Sequence, residues 1–422
     1  MKLLIRKAKI IDPGSSHHGK IRDLLIHEGK ISRIADHIEN SGQAEELEVP
    51  GLRASQGWLD LRASFHDPGA EHKEDLQTGA AAAAAGGYTA VACLPDTHPV
   101  IQSKSEVEYV LSVSRSLAVD MLPLGAISCN LEGKDISEMY DMHRAGAVAF
   151  SNANKSLESG TMQRALMYVQ GFGGLLCVHC DEKSLSRGGQ MHEGYYSTLL
   201  GLKGIPAHAE SIAVQRDLEL LRYTGGKLHV SHISTAESVD LIRKAKKEGY
   251  SVTCDTAIHQ LAFSDEMLEE YDTNYKVFPP LRNRFHIDAL YGGLKDGTID
   301  ALISDHSPED AESKVVEFDY AAFGITGLQT LYPLAVKHLL PVLGEEKTIA
   351  LISSNPRRIL KQEIPAIEEG TTANITLFSP EISWEYNEKS NRSRSRNSPL
   401  LGKTLLGKAV GIVHKNKFTG NL

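Results

Sequence analysis

From residue 57 onward, short apolar runs alternate with longer amphipathic stretches. The runs are WLDL, YTAVACL, VDMLPLGAI, AVAF, GLLCVHC, LHVSHI, YSVTCDT and IDALISDH. Apolar and β-branched residues occupy successive positions in them rather than alternate ones, as in strands covered on both faces. The stretches between them predict helices over 73–85, 105–116, 135–144, 162–170, 208–223 and 236–248. One of these, the alanine run Ala80–Ala85, ends in Gly86-Gly87, a glycine stop. Strand and helix recurring in this order imply parallel βαβ units, and eight in series predict an α/β protein built on a closed (β/α)8 barrel.

The two ends of the chain have a different texture. KLLIRKAKIID and DLLIHEGKISRIA alternate apolar with polar positions, and His27-Glu28-Gly29-Lys30 reads as a tight turn between strands. Beyond the barrel, GTTANITLFSP and LLGKTLLGKAVGIVHKNKF again read as short strands and glycine turns. Strands at both ends of a barrel predict that the termini meet in one small β-sandwich domain. The expected division is 1–55 with 365–422 for that domain and 56–364 for the barrel. There is no internal repeat.

Composition narrows the function classes. With 422 residues, 41% hydrophobic and 23% charged, the chain has the make-up of a soluble globular protein. A formal net charge of −9 argues against nucleic acid as a partner. The one basic cluster, 391–396 (NRSRSR), reads as a solvated loop. Five cysteines form no disulfide framework, and Cys177 with Cys180, inside GLLCVHC, read as buried strand thiols rather than a zinc knuckle. The N-terminal run has no continuous apolar segment of the signal-peptide kind, and no stretch approaches the ~20 apolar residues of a membrane span. A cytoplasmic location is expected.

Functional side chains of such a barrel gather at the C-terminal ends of its strands. Those ends carry Arg62, Ser64 and His66 after the first strand, Asp96 after the second and Asn152 after the fourth. His179, His232, Asp255 and Asp305 follow the fifth to eighth strands. Two histidines and an aspartate on three different strands can converge on one metal ion, which would acidify a bound water and polarise a carbonyl.

Phrases along the whole chain resemble the dihydroorotase family in its longer bacterial type, of the amidohydrolase superfamily. They include IRKAKIIDP, HKEDLQTG, GGYTAVACLPDTHPV, HCDEKSL, HISTAESVDLIRKAK, PPLR, SDHSPE, FGITGLQT and SRNSPLLGK. The resemblance implies an amidohydrolase-type TIM barrel and reversible hydrolysis of a cyclic amide, dihydroorotate, in pyrimidine biosynthesis. It also implies a zinc site whose last-strand aspartate, here Asp305, is the general base. His179 and His232 match metal ligands of the family, and Gly324 matches its glycine-containing substrate loop.

At other positions the chain departs from the family. The two strand-one ligands of the family's His-x-His are matched by Arg62 and Ser64, and its strand-four acidic ligand by Asn152. The substrate-binding arginine, asparagine and histidine are matched by His66, Asp96 and Glu309. Arg62 sets a permanent positive charge where a cation should sit, a cost on the order of several kcal/mol in a poorly solvated barrel. Asp96 and Glu309 add negative charge where an anionic substrate should dock, and His66 is a weaker clamp than a bidentate guanidinium.

The expected arrangement has Arg62 paired with Asp305, Asp255 or Asp96 in place of an intact binuclear centre, and activity impaired or absent. In this family, some degenerate members act as structural partners of aspartate transcarbamoylase, which the resemblance makes the candidate partner beside a homo-oligomer. The alternative is an active zinc-dependent dihydroorotase, or a related hydrolase of hydantoins or imides. It would use a remnant mononuclear site on His179, His232 and Asp305, with His66 or a cysteine as fourth ligand.

Overall fold

The computed structural model describes residues 1–421. Eight parallel strands, Trp58–Ala63, Tyr88–Cys93, Asp120–Ala126, Ala149–Ser151, Leu176–His179, Leu228–Ser231, Val252–Ala257 and Ala301–Ile303, neighbour one another in chain order. They coincide with the eight apolar runs of the sequence. The first two are buried at every position, as strands between a packed interior and a ring of helices must be. The ring closes between the first and eighth strands through one bridge, Ala63 to His306, and a bond from Ser64 N to His306 O at 2.8 Å. Side chains reinforce this seam: Ser304 N and Oγ both donate to the carboxylate of Asp60.

The helices follow the predicted spans with two informative differences. The first runs over Leu76–Gly86 rather than from residue 73, because Asp75 accepts from Thr78 N at 2.7 Å and caps it there. Its stop is as expected, with Gly87 left-handed at φ 93°. The third runs over Met139–Ala145, starting later than residue 135. Ile136 bridges Ser128 and Ser137 N donates to Ile127 O at 3.0 Å, so those residues serve a loop first.

Both chain ends form one curled mixed sheet of eight strands beside the barrel. Its order is Lys417–Gly420, Lys403–His414, Ile375–Tyr386, Arg53–Gln56, Lys2–Ile11, Ile21–His27, Lys30–Ala35, with Glu45–Leu47 also beside Lys2–Ile11. The four residues Arg53–Gln56 are the joint: parallel to Lys2–Ile11 on one side and antiparallel to Ile375–Tyr386 on the other. A separate apolar core, including Leu3, Ile5, Leu24, Ile375, Leu377 and Val413, fills this sheet. At the expected tight turn, Glu28 (φ 49°) and Gly29 (φ 75°) both adopt the left-handed conformation that a two-residue hairpin requires.

One sequence reading is corrected. The run 391–396 is not simply a solvated loop. Arg392, Arg394 and Arg396 point out, while Ser393 and Ser395 are buried against the barrel mouth. Ser393 Oγ donates to Glu74, and Ser395 Oγ donates to Lys73 O at 2.6 Å. Further along, Asn397 Nδ2 donates to Ser307 O at 3.0 Å. The segment straps the loop after the first strand to the loop after the eighth. Composition could not reveal this, because every partner is distant in sequence.

Candidate functional site

The sequence-nominated residues come together at the C-terminal mouth of the barrel in three groups. The central one is built on Arg62, whose side chain is 2% exposed. Of the three carboxylates the sequence offered, it takes Asp305: Nε donates to Oδ1 at 2.9 Å. Its Nη2 donates to Asn154, a residue that sequence reasoning passed over. Asp255 is used elsewhere, accepting from His229 Nε2 at 2.8 Å and from the backbone of His232.

His232 stands between Asp305 and His179. Its Nε2 lies 2.5 Å from His179 Nδ1, and its Nδ1 lies 3.5 Å from Asp305 Oδ1. The network assigns the protons: His179 Nδ1–H donates to His232 Nε2, which leaves the His232 Nδ1–H facing the carboxylate. Burial, then the neighbouring His232 and Arg62, push His179 well below the ordinary imidazole range. Burial and Arg62 lower His232 in the same sense. Burial alone would raise Asp305, but His232 and Arg62 hold it well below the usual carboxylate range. His259, also missed in the sequence, lies 3.9 Å from Asp305, and burial brings its ring down to about 4. Beneath them Asp60 is fully enclosed, and burial pushes its carboxyl up to about 7 despite the bonds from Ser304.

This donor set does not fit a metal ion. A common ligation point needs one lone pair from each of His179, His232 and Asp305. Here the two nitrogens of His232 face different partners, so the ring separates the other two. The charge of Arg62 sits against the same Asp305 oxygen, Oδ1, that His232 faces. Among the described residues, no three His, Cys, Asp or Glu side chains are placed to hold a metal.

The second group is Ser64 with Asp96. Ser64 Oγ donates to Asp96 Oδ2 at 2.5 Å, while Asp96 Oδ1 and His66 Nε2 are buried without partners. The third is Glu309, whose carboxylate pairs with Lys73 Nζ at 2.6 Å and whose backbone N–H donates to Asn397 Oδ1 at 3.1 Å. Gly324 lies beside it at φ 154°, where an added Cβ would stand 2.6 Å from Ser307 O. Asn152 turns away from the mouth: its Oδ1 accepts from Ser128 Oγ at 2.8 Å. It therefore organises a loop.

Access to the centre is narrow. Phe278 packs over His179 with ring centroids 5.1 Å apart. The voids beside Phe278 that reach His179 and Asp305 measure only about 10 Å³ each. Outside them lie two larger cavities, about 580 Å³ along Asp96–Val100 and Asn154 and about 600 Å³ along Lys183–Gly189 and Phe323. Sequence reasoning missed Asn154, His259 and Lys73. Asn154 and His259 could have been found by reading a few residues past each strand end, in FSNAN and CDTAIH.

Comparison with known proteins agrees with this architecture. A family model described as dihydro-orotase-like matches residues 53–238. The chain is 41% identical over 412 residues to a dihydroorotase of Pelotomaculum thermopropionicum, covering 96% of each chain. It is 39% identical over 425 residues to one of Geobacter sp. strain M21, covering 99% of each. Among solved structures, an L-hydantoinase (dihydropyrimidinase) from Arthrobacter aurescens superposes with a TM-score of 0.86 at 22% identity, over 99% of this chain and 96% of that one. That likeness concerns the fold.

Proposed function

Because the chain belongs to the dihydroorotase family, we propose that it is a homologue of the pyrimidine-biosynthetic cyclic-amide hydrolase whose own hydrolytic activity is lost or strongly impaired. The observation that carries this reading is the Arg62–Asp305 pair. Hydrolysing a cyclic amide needs a polarised carbonyl, an activated water and a base to take its proton. Asp305, the residue in the base position, is bonded to a guanidinium and is acidic well beyond the usual range, so it is a poor proton acceptor near neutral pH. An anionic substrate would also meet Asp96, which has one unpartnered oxygen, where the family presents a neutral amide.

As part of the same proposal, the chain serves as a structural partner of aspartate transcarbamoylase, following the family resemblance. Co-elution of the two proteins from one source organism on size exclusion is the direct test.

A second reading is an active zinc-dependent dihydroorotase, or a hydantoin or imide hydrolase, working from a reduced site. The approach of His179 Nδ1 to His232 Nε2 favours it, since both rings are held neutral as metal ligands must be. It requires His232 to swing away from its present position. Elemental analysis after zinc loading and dialysis, followed by a dihydroorotate turnover assay, separates the two. Impairment predicts substoichiometric zinc and negligible turnover, and a rate of about 1 s⁻¹ or more would overturn it.

A further inference from the structure

The two ends of the barrel carry exposed apolar surfaces of opposite charge, and neither borders the voids that reach His179 and Asp305. At the base, where the strands begin, Phe172 is ringed by Tyr140, His143 and Tyr168, with centroids 5.6, 4.9 and 6.0 Å away. Tyr140, Tyr168 and the adjoining Met167 are exposed. One residue further on, Gly173 O accepts from Lys361 Nζ at 3.0 Å, and Lys361 stands against Lys227. Burial and then this like charge lower the Lys361 amine, and among the described residues no carboxylate pairs with either lysine. At the opposite end, segments after the fifth, seventh and eighth strands share a small core of Met191, Leu268 and Phe318. Over it Tyr195, Leu199 and Tyr271 are exposed, and Tyr271 Oη donates to Leu200 O at 2.9 Å. Glu266, Glu269 and Glu270 stand exposed among these rings, and among the described residues none of them pairs with a cation. Burial, then Glu269, Glu266 and Asp265, raise the Tyr196 phenol, so the carboxylates lie close beside the apolar surface.

We propose that these two surfaces recognise each other between copies of the chain. The acidic rim of one copy, Glu266–Tyr271 with Tyr195 and Leu199, seats on the basic, aromatic base of another, built on Phe172, Lys227 and Lys361. Rings on both sides remove apolar area from water, while carboxylates without cations meet lysines without anions. With a formal net charge of −9, copies of the chain repel one another except where a cationic surface is free to meet an anionic one. The base supplies such a surface. Because rim and base lie at opposite ends of one barrel, a single copy cannot bring its own two surfaces together, and the contact requires a second. It needs neither metal nor turnover, and it does not rest on the functional reading above.

Sedimentation velocity on the full chain over about 1–100 µM tests the proposal, since weak interfaces fall in that range. The wild type is expected to sediment faster as its concentration rises. Two double variants, each at exposed positions, reverse one surface: Lys227→Glu with Lys361→Glu at the base, and Glu269→Lys with Glu270→Lys at the rim. Each alone sets like charges against each other and is expected to weaken association by about tenfold or more. An equimolar mixture of the two is expected to associate again, because the intact rim of the base variant meets the intact base of the rim variant. This recovery also shows that both variants are folded. A wild type that stays monomeric throughout, or a mixture that does, would overturn the proposal. So would a rim variant that still self-associates, which would assign the base to some other acidic partner, or a base variant that does so. Dihydroorotate turnover by any of these proteins bears on the functional reading alone.

Discussion

Arg62 Nε donates to Asp305 Oδ1 across the seam where the first barrel strand meets the eighth. That seam has a single backbone bridge, so the buried pair is part of what closes the ring. Removing one partner leaves an uncompensated buried charge, at a cost of about 3–5 kcal/mol. Arg62→Met is therefore expected to lower unfolding free energy by about that much, and Arg62→Met with Asp305→Leu by clearly less than the sum of the two single changes. Urea unfolding of the four proteins measures the coupling. Strict additivity would mean that the two side chains do not act on each other.

Restoring the family's ligands should separate metal uptake from catalysis. Arg62→His with Ser64→His is expected to let the protein retain zinc through dialysis where the wild type does not. Turnover should require His66→Arg and Asp96→Asn as well, because a guanidinium and a neutral amide then replace a weak donor and a carboxylate. Elemental analysis and dihydroorotate hydrolysis on wild type, double and quadruple variants provide the check. Turnover in the double variant equal to the quadruple would show that His66 and Asp96 do not limit substrate binding.

Arg282 Nη1 lies 3.2 Å from His192 Nδ1, so that nitrogen must keep its lone pair. Burial, with Arg282 and His286 adding to it, lowers the ring from 6.5 to about 3. The folded pKa is depressed, so between about 6.5 and 3 the unfolded chain binds the extra proton and stability falls as pH falls. Relative to His192→Gln, the wild type should lose about 2 kcal/mol on going from pH 7 to pH 5. Other titrating groups cancel in that difference. A pH-independent difference between the two proteins would refute the assignment.

Asn397 ties the C-terminal strap to the mouth. Its side chain accepts from Glu309 N at 3.1 Å and donates to Ser307 O at 3.0 Å. Asn397→Ala strands the buried Glu309 N–H, at about 1–3 kcal/mol, and removes the donor to the half-buried Ser307 carbonyl. Hydrogen exchange should quicken at 307–309 and at 393–398 together. Faster exchange in only one of the two segments would show that they are not coupled through Asn397.

The barrel was legible in the sequence because strands covered on both faces leave uninterrupted apolar runs, and such runs survive without knowledge of their neighbours. Ser64, Arg62 and Asp305 were legible for a related reason: strand ends point to one mouth. Which carboxylate Arg62 chooses was not legible. Asp255 is consumed by His229 and the backbone of His232, and only the folded register shows that Asp305 is left. Where the side chain of Asn152 turns, and that the serines of the strap are buried, were not legible for the same reason. Their partners, Ser128, Glu74 and Lys73, come from other loops, and residue type alone does not say which way a polar side chain turns.

The strand Arg53–Gln56 joins segments made at opposite ends of translation. Its partner on one side, Lys2–Ile11, precedes it, while the other, Ile375–Tyr386, follows about 320 residues later. At about 5–20 residues per second the ribosome needs roughly 16–64 s to supply that second neighbour. For that interval the nascent N-terminal sheet carries an open edge, and Leu3, Ile5 and Leu24 lack the cover of Ile375, Leu377 and Val413. The period of greatest exposure to misassociation or chaperone capture thus falls during synthesis of the barrel and ends only as the last strands emerge.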